Sequence, residues 1–354
     1  MKKFPFIGTR IIKTGVAIFF TALICDQLGW PPVFAVITAI VTIEPTVSDS
    51  IKKGIVRFPA SAIGSAYAVL FISLLGDSPL TYTLAAVLTI ATCVRLKLHA
   101  GLLVATLTAV AMVEVIHTNY LVSFFIRLGT TTVGLLISTI VNFFVLPPDY
   151  REDIANHIQS MSMRTGSVIE KVFGDILNGK MDQVTAERNL AAQVTNEIRR
   201  TETLIRFQKE EAKFHPLAGN EQTEFDHAQN QLLQLRMIHY HMNNIINTPL
   251  IIHKWSKEEK EIILHAVKEL ANVMQRGTHF DISKYEKEMN LLTELFWEDN
   301  EELTKNNKEH PTKFPPELII LYELLTIYEL ASEFYRGSPN KENPAQQVKK
   351  DSLS

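Results

Sequence analysis

Apolar positions dominate the first 150 residues, and mixed patterns of helical period then replace them. Apolar stretches run over 11–28, 33–43, 55–75, 80–96, 100–116 and 121–146, with short polar segments between them. A helix needs about 20 residues to cross the hydrocarbon of a bilayer, so this spacing predicts six membrane-spanning helices. The second stretch meets Glu44 and Pro45 well short of that length. Its span therefore includes Trp30, Pro31 and Pro32, continues past Pro45, or breaks there.

After Leu146, Pro147 and Pro148 the chain becomes charged and poor in glycine. Helical patterns recur over 151–178, 183–214, 221–248, 256–277, 281–305 and 315–336. Leu190, Val194, Ile198, Thr201 and Ile205 trace one apolar face, and Leu232, Leu235, Ile238, Met242 and Ile245 another, with a period near 3.6. Gly179, Gly219, Pro249, Gly277 and Pro315 mark the breaks, and Ser256 with Glu259 reads as a capping box. Strand signals are absent. The expected fold is all-α: a six-helix transmembrane bundle over 1–148, a cytoplasmic helical domain over 149–336, and a disordered tail over 337–354.

Charge sharpens this division. Residues 1–150 hold 10 of the 35 Lys and Arg but only 6 of the 38 Asp and Glu. Nine of these ten basic residues, Lys2, Lys3, Arg10, Lys13, Lys52, Lys53, Arg57, Arg95 and Lys97, fall in the alternate segments 1–13, 48–57 and 95–99, and Arg151 follows the sixth stretch. The loops at 26–32, 76–79 and 117–120 carry none. By the positive-inside rule both termini lie in the cytoplasm, and the first stretch is an uncleaved span of a multi-pass plasma-membrane protein. The acidic second part argues against nucleic acid as a partner. Cys25 and Cys93, both within apolar runs, read as small hydrophobes and not as a disulfide or a metal site.

A shift of 70 positions superimposes part of the chain on itself. It aligns Ala35 with Ala105, Thr38 with Thr108, Ala39 with Ala109, Glu44 with Glu114, Arg57 with Arg127 and Gly64 with Gly134. Glutamate and arginine are rare at the ends of apolar spans, so their inclusion gives the match weight. The offset covers three spans, an odd number, so the two copies would lie in opposite orientations, as in many secondary transporters. Arg57 and Arg127 are then candidates to attract an anion, with Thr130 and Thr131 offering hydroxyls beside Arg127. Glu44 and Glu114 are candidates to carry a coupling proton. The plainer alternative is that each Glu and Arg pair across a loop and fix the helix ends.

Catalytic, cofactor and metal constellations do not emerge. His239 and His241 lie two apart on a helical pattern and would point away from each other, which suits solvated or interface histidines better than shared ligation. The run from Glu298 to Glu302 reads as a solvated helix end. No phosphate-binding glycine loop occurs, so an enzyme or an ATP-driven pump is not expected.

Pro32, Phe34, Ala35 and Thr38, then Glu44, Pro45 and Thr46, then Lys53, Gly54, Arg57 and Gly64, resemble the entry region of the aromatic acid exporter family. That family is related to fusaric acid resistance proteins and plant aluminium-activated malate transporters. Phe34 stands where tryptophan is usual, and Ala60 and Ser61 where Gly-Thr is usual. The resemblance implies export of aromatic carboxylates or similar small organic anions, with no cofactor. Larger relatives carry two such membrane units, which implies a homodimer of this single-unit chain. Two other readings stay open: a passive organic-anion channel gated by the cytoplasmic domain, and a membrane-anchored helical interaction module.

Overall fold

The computed structural model describes residues 8–115, 119–179, 185–247, 255–276, 282–306 and 315–336. The tail expected to be disordered, the first basic residues Lys2 and Lys3, and the breaks at Pro249 and Gly277 lie outside these. The described residues form an all-α structure of twelve α-helices and one 3₁₀ turn. They divide into two compact units, one of residues 1–149 with 207–216, the other of 150–206 with 217–354.

In the first unit every apolar stretch meets a helix: α1 (Thr9–Gln27), α2 (Val33–Thr42), α3 (Val47–Leu75), α4 (Pro79–Arg95), α5 (Leu102–Val115) and α6 (Tyr120–Phe144). Among the described residues, α3 and α6 are long and apolar enough to cross a membrane, and α2, α4 and the segment His99–Glu114 are shorter apolar helices. The second stretch breaks where its proline stands. Helix α2 stops at Thr42 and Ile43 is extended, because Pro45 disfavours helical backbone at Glu44 and has no N–H to continue the ladder.

Helix α3 begins eight residues before the stretch that predicted it. The Thr46 hydroxyl caps it by accepting the Asp49 N–H at 3.1 Å, and this brings Lys52, Lys53 and Arg57, expected in a loop, onto its first turns.

Burial in this unit runs opposite to a water-soluble core. Phe19, Leu74, Leu103, Phe125 and Phe144 are each more than 60 % exposed, whereas Ala17, Thr21, Ala35, Ser61, Ala105, Thr108 and Thr131 are wholly buried. Small residues inside and large apolar ones outside suit helices that approach closely within lipid. The closest approaches come in a matched pair. A Cβ on Gly64 would lie 2.3 Å from the Ala105 carbonyl oxygen, and one on Gly134 would lie 2.4 Å from that of Ala35. Thus α3 packs on α5 and α6 on α2. Helix α1 packs on α2 and α6, α4 packs on α5 and α3, and α3 meets α6.

The second unit contains α7 (Arg151–Leu177), most of α8 (Thr185–Glu211), α9 (Asn220–Asn247), α10 (Lys257–Arg276), α11 (Ile282–Asn306) and α12 (Pro316–Tyr335). The apolar faces read from the sequence form one core through Ile198, Ile205, Leu235, Ile238, Met242 and Ile245. The capping box forms in both directions. Glu259 N–H donates to the Ser256 hydroxyl at 3.2 Å, and Ser256 N–H donates to the Glu259 carboxylate at 2.6 Å.

His239 and His241 differ from expectation in being buried. His239 lies 3.4 Å from the Thr165 hydroxyl, and His241 pairs with Glu323, which also accepts from Asn244 at 3.0 Å. Tyr240 between them is exposed.

Candidate functional site

Arg57 and Arg127, which the 70-residue offset aligns, have different surroundings. Arg57 is buried on α3 and its Nη2 meets Glu44 at 2.7 Å, while its Nε donates to the Ala100 carbonyl at 3.2 Å. Glu44 also pairs with Lys53 at 2.7 Å. The break at Ile43–Thr46 makes this possible by turning the Glu44 carboxylate back onto the first turns of α3. Asn142, wholly buried on α6, holds the break. Its amide donates to the carbonyls of Glu44 and Thr46, both at 3.2 Å, and to the Ser50 hydroxyl at 2.9 Å. The ammonium of Lys13, buried on α1, donates to the Asn142 side-chain oxygen at 2.8 Å.

Glu114 does not repeat this pairing. Helix α5 carries Val115 where the first copy has Pro45, so it continues as helix through Glu114. The carboxylate there accepts a hydrogen bond from the Tyr82 hydroxyl at 2.8 Å. Among the described residues, Arg127 is left without a carboxylate partner. It is 4 % exposed, its guanidinium lies 4.3 Å over the Phe34 ring, and its Nη2 donates to the Thr108 hydroxyl. Among the described residues, its Nε and Nη1 have no hydrogen-bond partner.

Arg127 lines a cavity of about 180 Å³ together with Pro31, Phe34, Met112, Ser123, Ile126 and Thr130. A buried guanidinium with unmet donors is costly unless an anion satisfies it. Apolar walls with a few convergent polar groups are the usual form of a small-molecule site.

Thr130 and Thr131 both donate to the Arg127 carbonyl, at 3.0 and 2.9 Å. Thr130 also lines the cavity. Thr131 instead meets Ser61 at 3.2 Å, and Ser61 meets Thr108 at 3.3 Å, so a chain of hydroxyls joins α3, α5 and α6 behind the arginine. The structure thus brings Arg127 and Thr130 together at one cavity, with Thr131 behind it. Arg57 lies in a separate cluster with Glu44, and Glu114 belongs to neither.

Phe34, Met112 and Ser123 were missed as cavity residues by sequence reasoning, because nothing local marks them as converging on Arg127. Asn142 and Lys13 were also missed. An asparagine within the 121–146 apolar stretch was the available signal, since a polar amide there needs partners.

The profile of aromatic acid exporter family member 1 matches residues 5–145, which include the Arg127 cavity. Similarity to several bacterial proteins extends over nearly the whole chain. The UPF0421 protein OB2406 of Oceanobacillus iheyensis is 47 % identical over 97 % of this chain and 99 % of its own length. A UPF0421 protein of Bacillus cereus is 41 % identical over 94 % of each. UPF0421 protein SH1063 of Staphylococcus haemolyticus is 37 % identical over 93 % of this chain and 97 % of its own length. The chain belongs to the aromatic acid exporter family, in a bacterial branch of membrane proteins that it shares with the UPF0421 proteins.

Proposed function

We propose that this protein is a secondary exporter of small organic anions, aromatic carboxylates foremost, and that Arg127 receives the carboxylate. The observation that carries the reading is the buried Arg127 guanidinium, with two nitrogens unpartnered, on a cavity walled by Phe34, Met112 and Ile126. A planar aromatic acid matches this chemistry, with its ring against the apolar wall and its carboxylate on the guanidinium. Thr130 and Ser123 supply hydroxyls at the same cavity. Arg57, already neutralised by Glu44, and Thr131, bonded to Ser61, support the pathway from behind.

In this reading α1–α6 are six spans forming two three-helix copies of opposite orientation. The exchanged packing supports it: α3 on α5 answers α6 on α2, and Gly64 against Ala105 answers Gly134 against Ala35. Such a repeat suits alternating access, and both termini lie in the cytoplasm. Glu114 is the better proton carrier of the two glutamates, because its partner is the neutral Tyr82, whereas Glu44 is committed to two cations. The chain works as a homodimer in the plasma membrane.

Labelled hydroxybenzoate loaded into cells tests this. Cells overproducing the protein are expected to accumulate less label than cells lacking it. Equal accumulation in both would contradict export.

A further inference from the structure

The 70-residue offset that aligns Arg57 with Arg127 also carries the walls of the Arg127 cavity onto residues around Arg57. Pro31 falls on Gly101, Ser123 on Lys53, Ile126 on Val56 and Thr130 on Ala60. These counterparts are gathered in space as well. A Cβ on Gly101 would lie 2.4 Å from the Ala60 Cβ, 3.1 Å from the Val56 carbonyl oxygen and 3.2 Å from the Arg57 Cα. Around Arg127 the walls stand apart and leave a cavity. Around Arg57 they are closed on one another, and Ala60 is wholly buried.

The closed place is short of an anion. Arg57 and Lys53 share one carboxylate, Glu44, which meets each at 2.7 Å. Arg57 is 6 % exposed, and among the described residues its Nη1 has no hydrogen-bond partner. A buried guanidinium with an unmet donor favours a further anion. Once Glu44 rests on Lys53 alone, two nitrogens of Arg57 are available to a carboxylate. Ser61, one turn on from Arg57, touches Thr131, one turn on from Arg127, at 3.2 Å. Hydroxyls therefore link the two arginines through the middle of the unit.

We infer that Arg57 is a second carboxylate site, closed in this structure by Glu44 and by the contact of Gly101 with Ala60, which opens to the cytoplasm as the Arg127 cavity closes. The inference rests on the transport reading. Two copies of opposite orientation that exchange conformations turn the same molecule to the other side. In the orientation proposed above, Pro31 and Ser123 stand near the outer ends of α2 and α6, and Lys53 and Arg57 near the inner end of α3. The structure is then the outward-facing end of the cycle. An aromatic acid loads on Arg57 from the cytoplasm, leaving Glu44 to Lys53, and departs from Arg127.

Thiol labelling of the full chain in membrane vesicles tests this. With Cys25 and Cys93 replaced by alanine, Ala60→Cys is probed from the cytoplasmic face and Thr130→Cys from the outer face, each with a small anionic thiol reagent. Glu44→Gln releases the clamp, so labelling at Ala60→Cys is expected to rise several-fold and labelling at Thr130→Cys to fall several-fold. Ala60→Leu wedges the Gly101 contact apart without touching a charge, and is expected to lower Thr130→Cys labelling in the same way. In the Glu44→Gln protein, benzoate is expected to slow labelling at Ala60→Cys several-fold. Thr130→Cys labelling that falls in neither variant, or that rises together with Ala60→Cys labelling, would overturn the inference, as would Ala60→Cys labelling indifferent to benzoate. Absence of hydroxybenzoate efflux from the unaltered protein would remove the transport reading and this inference with it. Efflux without the reciprocal change in labelling would remove this inference alone.

Discussion

Ser61 and Thr131 stand 70 residues apart in the chain and 3.2 Å apart in space, hydroxyl to hydroxyl, where α3 meets α6. Seventy residues is also the offset that aligns Glu44 with Glu114 and Arg57 with Arg127. A residue touches its own counterpart only on the axis that relates two copies. The contact therefore marks where such an axis would pass, and the Gly64–Ala105 and Gly134–Ala35 approaches flank it as equivalents.

Removing the two hydroxyls should reveal this contact as a coupling. Ser61→Ala, Thr131→Val and the double variant form a thermodynamic cycle, read by unfolding in detergent. The coupling is expected near about 0.6 kcal/mol, the usual size of a hydrogen bond between membrane helices. Strict additivity would mean that the hydroxyls do not act on each other.

Gly64→Ala and Gly134→Ala should be damaging to similar extents. Each new methyl would meet a backbone carbonyl that cannot move without displacing its helix, and overpacking of this kind costs about 1–3 kcal/mol. Gly174→Ala, in open space on α7, should stabilise by up to about 1 kcal/mol. Melting temperatures of the three variants would check the contrast.

Glu44→Gln should destabilise the first unit by about 3–5 kcal/mol, because it strands Arg57 and Lys53 without a buried counter-charge. Glu114→Gln should cost little, since the Glu114 carboxylate is exposed and accepts a hydrogen bond from a neutral group, the Tyr82 hydroxyl, that an amide oxygen can also accept. Comparison of the two by thermal unfolding distinguishes a structural clamp from an exchangeable carboxyl.

His239 should make the fold sensitive to acid. Burial pushes its pKa down to about 4, against about 6.5 for a free imidazole. Between those values the unfolded chain binds a proton that the folded chain does not. Stability is therefore full above about pH 6.5 and falls as pH drops toward about 4, by about 3 kcal/mol in total. His239→Gln should flatten the melting temperature between pH 7 and pH 5, and an unchanged slope would assign the acid sensitivity elsewhere.

The helices of the second unit were legible to within a few residues because amphipathic period and turn residues are local properties. Ser256 and Glu259 even disclosed their capping geometry. The start of α3 was not legible: Lys52, Lys53 and Arg57 looked like a loop, since charge masks helix when the carboxylates that neutralise it lie at Glu44 and Glu210. The 70-residue match was visible in sequence, but the unlike fates of Glu44 and Glu114 depended on Pro45 aligning with Val115. The cavity was least legible. Phe34, Met112 and Ser123 come from three helices, and only their packing shows that Arg127 lacks a carboxylate.

The most direct test of the central claim is efflux of labelled 4-hydroxybenzoate from proteoliposomes holding the purified protein. Arg127→Ala is expected to lower the initial rate at least about tenfold, as loss of one buried charge-assisted contact implies, with Arg127→Lys retaining an intermediate rate. Undiminished efflux from Arg127→Ala, with the protein folded and inserted, would contradict the assignment of the carboxylate to Arg127.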